Sequence, residues 1–262
     1  MRRTARWLAL GLGVLCALAG PFAGAQAQGS PPAGGSQAIV IELKGVLQAS
    51  AVPRIREALE RADRDRYPAG AILLIDSPGG DGFAAMEIGR LARAARAHAF
   101  VRGRCASACV FVLAGSVMRS APDYAVGIHR PRLTRAVPGV GAVPVEPGKD
   151  ETAAQMLELG NRRVQEYLQE MGMPETLYPA MMAVPSERMR TLSREELKSF
   201  GLLGFDAEYA AQRGAAAARR LNVPGEEFAR RALDTQTRCV DVAPAQTATE
   251  FARCYRRTLE AP

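Results

Sequence analysis

Two side chains in this sequence could form a nucleophile and its base. Ser107 lies within the stretch C-A-S-A-C, where an apolar strand gives way to an apolar helix, and His129 ends a second apolar strand. A serine hydroxyl needs a neighbouring base before it can attack a carbonyl carbon. The chain has two histidines. The other one, His98, lies between a helix and a strand and is interpreted as a helix-end or strand-edge histidine without a catalytic role. The pair therefore predicts nucleophilic catalysis by serine.

Alternating strands and helices precede this pair and must position it. Apolar runs predict strands and helical spacing predicts helices. The predicted strands cover residues 38–47, 71–76 and 98–102, and the predicted helices cover residues 53–64 and 83–97. This order indicates an α/β domain with right-handed crossovers, in which chemistry lies at the carboxyl ends of the strands. Ser107 and the turn S-P-G-G at residues 77–80 both fall at such ends, so we expect them to share a site.

The part of the chain after His129 is predicted to be a loop followed by helices. Residues 132–149 are rich in proline and glycine and predict a mobile loop. Asp150 could cap a long helix over residues 151–171. The apolar stripe of this helix, which indicates core or subunit packing, consists of Leu157, Val164, Leu168 and Met171. Shorter elements are predicted at residues 174–182, 193–201 and 202–205, and residues 207–262 form an Ala/Arg-rich, helical C-terminal extension.

The N-terminus has the pattern of a secretory signal. Three arginines precede the apolar run at residues 7–19, and small-residue cleavage patterns end at residue 27. The run is short for a membrane span, although an uncleaved anchor is the alternative. Residues 28–37 would form a flexible leader. Cleavage would remove three arginines and lower the formal net charge from +7 to +4. Because the remaining arginines are scattered, no nucleic-acid partner is expected.

Cleavage of residues 1–27 would leave four cysteines, and an oxidising compartment favours disulfides between them. Three connectivities are possible. The sequence-local one pairs Cys105 with Cys109 and Cys239 with Cys254. No histidine adjoins either pair, so a metal site is not expected. The first pair flanks Ser107 and could form a disulfide that clamps the nucleophile turn, or it could be two small buried thiols.

Four motifs in order resemble one known superfamily. They are L-L-I-D-S-P-G-G, C-A-S-A-C, G-I-H-R-P and T-L-S-R-E-E-L-K-S-F-G-L-L. Residues 38–206 resemble the proteolytic subunit of Clp protease and its relatives in the ClpP/crotonase superfamily, above all secreted ClpP-like proteins of the periplasm. The resemblance implies a superhelical stack of ββα units with a protruding long helix at residues 151–171, which in relatives mediates oligomer contacts.

The resemblance also implies site residues. Ser107 falls on the family's nucleophile and His129 on its general base. Gly79 or Gly80, together with the amide of Ala108, falls on the oxyanion-hole donors.

The family's catalytic aspartate has no counterpart in this sequence. Its place falls near residues 185–186, and no aspartate lies between Asp150 and Asp206. Glu187 is the nearest acid and becomes the candidate for the group that orients His129. The alternative is that Glu187 is a solvated loop charge.

These observations predict an exported serine hydrolase that acts on peptide or protein substrates as a homo-oligomer, without a cofactor. An ATP-driven unfoldase partner is not expected because an exported compartment is expected to lack ATP. The alternative, which the missing aspartate favours, is a non-catalytic ClpP-like fold used for binding or assembly. The acyl-CoA chemistry of crotonases is disfavoured by export.

Overall fold

The structure is a computed structural model that describes residues 39–62, 70–137, 141–145, 148 and 150–261. The predicted signal and leader lie outside the described residues. The strands are β1 (Ile39–Lys44), β2 (Ala71–Ser77), β3 (His98–Ala106), β4 (Met118–Ser120), β5 (Val126–Ile128), β6 (Leu133–Val137), β7 (Gly141–Val145), β8 (Arg190–Thr191) and β9 (Gly204–Phe205). The helices are α1 (Val52–Glu60), α2 (Gly82–Ala94), α3 (Cys109–Gly115), α4 (Glu151–Glu170), α5 (Leu177–Met182), α6 (Arg194–Ser199), α7 (Ala207–Tyr209), α8 (Ala215–Arg220), α9 (Gly225–Thr235) and α10 (Ala248–Glu260).

The main sheet is largely parallel, which confirms the predicted α/β class. Its strands follow the order β1, β2, β3, β4 and β9, of which only β9 is antiparallel to its neighbour. Strand β5 pairs in parallel with the end of β3, and β8 pairs antiparallel with β5. Buried apolar runs such as A-I-L-L-I in β2 form the centre, as expected for strands covered on both faces.

Strand β3 extends further than the sequence predicted. The predicted strand ended at residue 102, whereas the observed strand continues to Ala106. The last part of β3 keeps its extended conformation because Cys105 and Ala106 pair with Val126 and Gly127 of β5. Arginines and a glycine interrupt the apolar pattern there, so the sequence alone does not reveal the extension. The consequence is that the main sheet leads directly into Ser107.

One face of the sheet is covered by α1, α2 and α3. Asp81 caps α2, because its carboxylate accepts hydrogen bonds from the N–H groups of Phe83 and Ala84. Tyr167 of α4 enters the same core, where its hydroxyl donates to the carbonyl oxygen of Phe111 at 2.7 Å. This core supports β3 and α3, the two elements on either side of Ser107.

The C-terminal extension covers the other face of the sheet. Phe100 of β3 packs edge-on against Phe251 and Tyr255 of α10. His98 is fully buried between two tyrosines: Nε2 lies 3.1 Å from the Tyr209 hydroxyl and Nδ1 lies 3.0 Å from the Tyr255 hydroxyl. Burial lowers the pKa of His98 to about 3. His98 is therefore a core residue at the start of β3, rather than the helix-end or strand-edge histidine that the sequence predicted.

The predicted loop after His129 contains a hairpin. Strands β6 and β7 pair antiparallel, with Leu133 opposite Val145 and Arg135 opposite Val143. Proline is tolerated in such an edge strand. The sequence does not predict the hairpin because β7 contains Pro144 and because polar and apolar residues do not alternate clearly along it. Residues 138–140, 146–147 and 149 lie outside the described residues.

Helix α4 begins as predicted, with the Asp150 carboxylate accepting hydrogen bonds from two main-chain N–H groups. Its C-terminal half is buried at Val164 and Leu168, whereas Met156 and Leu159 in its N-terminal half are exposed. Ser193 and Glu196 form the predicted capping box of α6. Among the described residues, no helix has the length and apolar character needed to cross a membrane.

Candidate functional site

Ser107 occupies a sharp turn between β3 and α3. Its φ angle is 56°, in the left-handed region that costs a residue other than glycine about 1–3 kcal/mol. Three contacts hold this conformation. The Ser107 N–H donates to the Gly127 carbonyl oxygen at 2.9 Å, and the Ser107 carbonyl oxygen accepts from the Val110 N–H at 3.0 Å. A disulfide closes the same turn. The surrounding fold therefore imposes the conformation of the candidate nucleophile.

The structure brings Ser107 and His129 together. The hydroxyl oxygen of Ser107 lies 2.7 Å from Nε2 of His129. Pairing between β3 and β5 brings the two side chains together. Ala106 stands opposite Gly127, Ser107 directly follows β3 and His129 directly follows β5. His129 is buried, whereas Ser107 remains partly accessible. The distance suits proton transfer from a serine to a general base.

A main-chain carbonyl orients the imidazole. Nδ1 of His129 lies 2.7 Å from the carbonyl oxygen of Arg130. A carbonyl oxygen can only accept, so Nδ1 carries the proton and Nε2 of the neutral ring presents its lone pair to Ser107. Burial lowers the pKa of His129, and the charge of Arg132 lowers it further, while the hydrogen bond to Arg130 acts in the opposite direction. The ring is therefore held in the form that accepts a proton.

Glu187 makes no hydrogen bond to His129 and matches the alternative of a solvated loop charge. It is exposed, and its carboxylate accepts a hydrogen bond from the Ser186 hydroxyl at 3.2 Å. The chain turns at this point, with the Arg188 N–H donating to the Pro185 carbonyl oxygen at 3.0 Å. No carboxylate among the described residues hydrogen-bonds the imidazole.

Sequence reasoning missed the Arg130 carbonyl because main-chain groups carry no side-chain signature. One signal was present. Pro131 follows Arg130, and a residue before proline is biased towards an extended backbone. That bias limits the directions in which the Arg130 carbonyl can point.

Gly79 packs directly against the nucleophile turn. Its φ angle is 100°, and a Cβ added to it would lie 2.6 Å from the Ala106 carbonyl oxygen and 2.7 Å from Cβ of Ser107. Only glycine fits this approach. Its own N–H donates to the Ser77 hydroxyl at 3.1 Å.

The neighbouring amides of Gly80 and Ala108 are better placed as free donors. The added Cβ of Gly79 would also lie 3.0 Å from the Ala108 nitrogen, which puts this amide beside the turn. Gly80 bridges Leu47 through the main-chain groups on either side of it. In the described ranges, neither the Gly80 nor the Ala108 N–H has an acceptor.

Both sequence-local cysteine pairs form disulfides. Cys105 and Cys109 are joined with an S–S distance of 2.02 Å, and Cys239 and Cys254 with one of 2.01 Å. The first bridge ties the end of β3 to the start of α3 and encloses Ser107. The second lies in the C-terminal extension. Among the described residues, no three His, Cys, Asp or Glu side chains cluster as metal ligands would.

The fold and the site together define a class: a mainly parallel α/β protein with a serine on a strand-to-helix turn and a histidine within hydrogen-bonding distance of it. Among solved structures, the chain is similar to a mutant of ClpP1 from Listeria monocytogenes. The two share 17% sequence identity over 63% of this chain and 88% of that chain, with a TM-score of 0.47. No protein-family model and no curated protein matches the sequence.

Proposed function

We propose that this chain is an exported serine hydrolase that cleaves peptide bonds, with Ser107 as nucleophile and His129 as general base. The observation that carries the proposal is the 2.7 Å contact between the Ser107 hydroxyl and the unprotonated Nε2 of His129. The left-handed backbone at Ser107 supports it, because strain of this kind clusters at active sites. The resemblance of the four sequence motifs to ClpP-like peptidases supports the choice of peptide substrates.

In the proposed reaction the Ser107 oxygen attacks the substrate carbonyl carbon while its proton moves to Nε2 of His129. The amides of Gly80 and Ala108 would hold the developing oxyanion, a contribution worth about 10² to 10³ in rate per donor. The protonated imidazole would then give its proton to the leaving amine, and water would release the acyl group from Ser107.

The Arg130 carbonyl would perform part of the task that an aspartate performs in a Ser-His-Asp triad. It fixes the tautomer of His129, as a carboxylate does. It offers a dipole rather than a full negative charge, so it stabilises the imidazolium of the transition state less. We therefore expect slow turnover by a correctly oriented pair.

Export and self-association are part of the proposal. The signal-like pattern at residues 1–27 and the two disulfides support an oxidising compartment outside the cytoplasm. The exposed apolar side chains of Met156 and Leu159 on α4 support contact with a second copy. Light scattering of the wild type and of a Met156→Glu variant tests this contact. A lower mass for the variant is expected, and equal masses would remove Met156 from the interface.

A fluorophosphonate probe tests the catalytic proposal. The purified protein is expected to be labelled on Ser107, whereas Ser107→Ala abolishes labelling and His129→Ala reduces it strongly. Ser50→Ala is the matched control, because Ser50 is exposed and lies on the short helical turn Ala49–Ala51, outside the site. Thermal melting of each variant shows that it is folded.

The second candidate is a non-catalytic ClpP-like binding protein. The observation in its favour is that the imidazole of His129 lacks a carboxylate partner among the described residues. Folded wild-type protein without Ser107-dependent labelling would select this candidate over the hydrolase.

A further inference from the structure

A group of arginines lies along two chain segments beside His129. Residues 126–137 contain three arginines and no acid, and residues 184–191 contain two arginines and a single acid. One of these five is already paired, because Arg190 forms a salt bridge with Glu196. The remaining four are exposed and are called the arginine rim; they are Arg130, Arg132, Arg135 and Arg188.

Strand pairing places both segments next to the catalytic pair. Ile128, which precedes His129, stands opposite Arg190, and the Arg130 N–H donates to the Val184 carbonyl oxygen at 2.9 Å. The charge of Arg132 reaches the imidazole, since it contributes to the lowered pKa of His129. The segments that carry the rim therefore adjoin His129, the partner of Ser107.

The rim has an excess of positive charge that the described residues do not balance. None of its four guanidinium groups forms a salt bridge with a described carboxylate. Glu187 is the one acid within the two segments, and its pKa is lowered by a main-chain hydrogen bond and by the charges of Arg130 and Arg188. Like charges gathered at the mouth of a site attract an oppositely charged ligand and repel a basic one.

Building on the proposed function, we infer that the substrate carries carboxylate groups next to the bond that is cleaved. Two sources share this chemistry: acidic side chains within a peptide, and the free carboxylate of a peptide C-terminus. Guanidinium groups bind either one through charge-assisted hydrogen bonds. The inference adds a substrate class to the proposed hydrolase and requires no further catalytic group.

Binding to a Ser107→Ala variant tests the inference without depending on turnover. Rhodamine-labelled decapeptides that contain glutamate are compared with the same peptides carrying glutamine, both amidated at the C-terminus. A third set carries glutamine and a free C-terminus. We expect the glutamate set or the free-terminus set to bind about tenfold more tightly than the amidated glutamine set at low salt. The preference should shrink as salt rises, because exposed charges are screened.

A double substitution connects the preference to the rim. Arg132→Gln with Arg188→Gln, made in the Ser107→Ala background, should reduce the preference about fivefold or more, because each exposed ion pair contributes up to about fivefold in affinity. Arg213→Gln with Arg219→Gln removes the same charge from exposed positions in the C-terminal extension and should leave the preference unchanged.

The outcomes separate the two proposals. Equal binding of all three peptide sets, or a preference that survives in the rim variant, overturns the inference even if Ser107 is labelled by the probe. If the preference depends on the rim but the probe does not label Ser107, carboxylate-bearing peptides are ligands of this protein and the proposed catalytic function is wrong. Preference for the free-terminus set alone identifies a C-terminal carboxylate, and preference for the glutamate set alone identifies acidic side chains.

Discussion

Nδ1 of His129 donates its hydrogen bond to the main-chain carbonyl oxygen of Arg130, 2.7 Å away. This contact gives the imidazole the tautomer that a nucleophilic serine needs, without an acidic side chain. An orienting group taken from the main chain cannot be removed by substituting its side chain, so the proposed site is best probed through its neighbours.

Arg132 provides a test through pH. Because its positive charge and the burial of His129 both disfavour the imidazolium, the pKa of His129 lies below the 6.5 of an exposed histidine. Labelling of Ser107 requires the neutral ring, so its rate should fall only in acid, with a midpoint below 6.5. Arg132→Gln removes one of the two causes and should move this midpoint towards neutral pH. The rate of fluorophosphonate labelling measured from pH 4 to 8 checks the shift, and a midpoint that moves to lower pH would contradict it.

Gly79 gives a prediction about close packing. Gly79→Ala would place a Cβ 2.6 Å from the Ala106 carbonyl oxygen at a φ of 100°, so the turn that carries Ser107 must shift. We expect a loss of about 1–3 kcal/mol in the free energy of unfolding, from backbone strain alone, together with strongly reduced labelling.

Gly160→Ala is the matched control for Gly79. Gly160 lies within α4, and a Cβ there would meet nothing within 4 Å. Alanine is favoured over glycine inside a helix by about 0.5–1 kcal/mol. Urea unfolding should show a small gain in stability for this variant, and labelling should be unchanged. Equal losses of stability and labelling in the two variants would mean that close packing at Gly79 does not cause the effect of Gly79→Ala.

The two disulfides should differ in what they support. Replacing Cys105 and Cys109 by serine removes a bridge that closes a short loop, worth about 2 kcal/mol in the chain-entropy model. Labelling of Ser107 should fall as well, because the bridge encloses the nucleophile turn.

Replacing Cys239 and Cys254 by serine is the comparison. Its loop spans 15 residues, for which the same model gives about 3 kcal/mol. This bridge lies in the C-terminal extension, so stability should fall while labelling of the protein that stays folded is retained. Denaturant curves and probe labelling on the same samples check both results. Full labelling without the Cys105–Cys109 bridge would show that it is not a positioning device.

Phe251 tests the role of the C-terminal extension. It is fully buried against Phe100 on the second face of the sheet, so Phe251→Ala should cost about 3–5 kcal/mol in the free energy of unfolding. Val242→Ala is the control, since Val242 is 73% exposed and its truncation should change stability by less than about 0.5 kcal/mol. Calorimetry measures both. A small effect at Phe251 would mean that the extension folds separately from the sheet.

The sequence predicted well those features that follow from side-chain pattern. The α/β alternation and the Asp150 cap agree with the structure, and Ser107 and His129 lie within hydrogen-bonding distance of each other. The four cysteines pair in the sequence-local way, one of the three connectivities that the sequence left open. Each of these depends on residue type and local spacing, which a sequence displays directly.

The features that were missed depend on main-chain groups or on distant pairing. The Arg130 carbonyl has no side-chain signature, and the hairpin of β6 and β7 is held by cross-strand pairing in a segment rich in glycine and proline. The burial of His98 depends on two tyrosines that lie 111 and 157 residues further along the chain. Sequence spacing cannot reveal such contacts without a three-dimensional arrangement.

The contact between β1 and α10 has a consequence for folding. Val40 of β1 and Leu259 of α10 belong to the same core although they lie far apart in the sequence. Contacts over such a separation form slowly. The second face of the sheet therefore stays uncovered until α10 docks, which leaves its apolar side chains open to aggregation during folding.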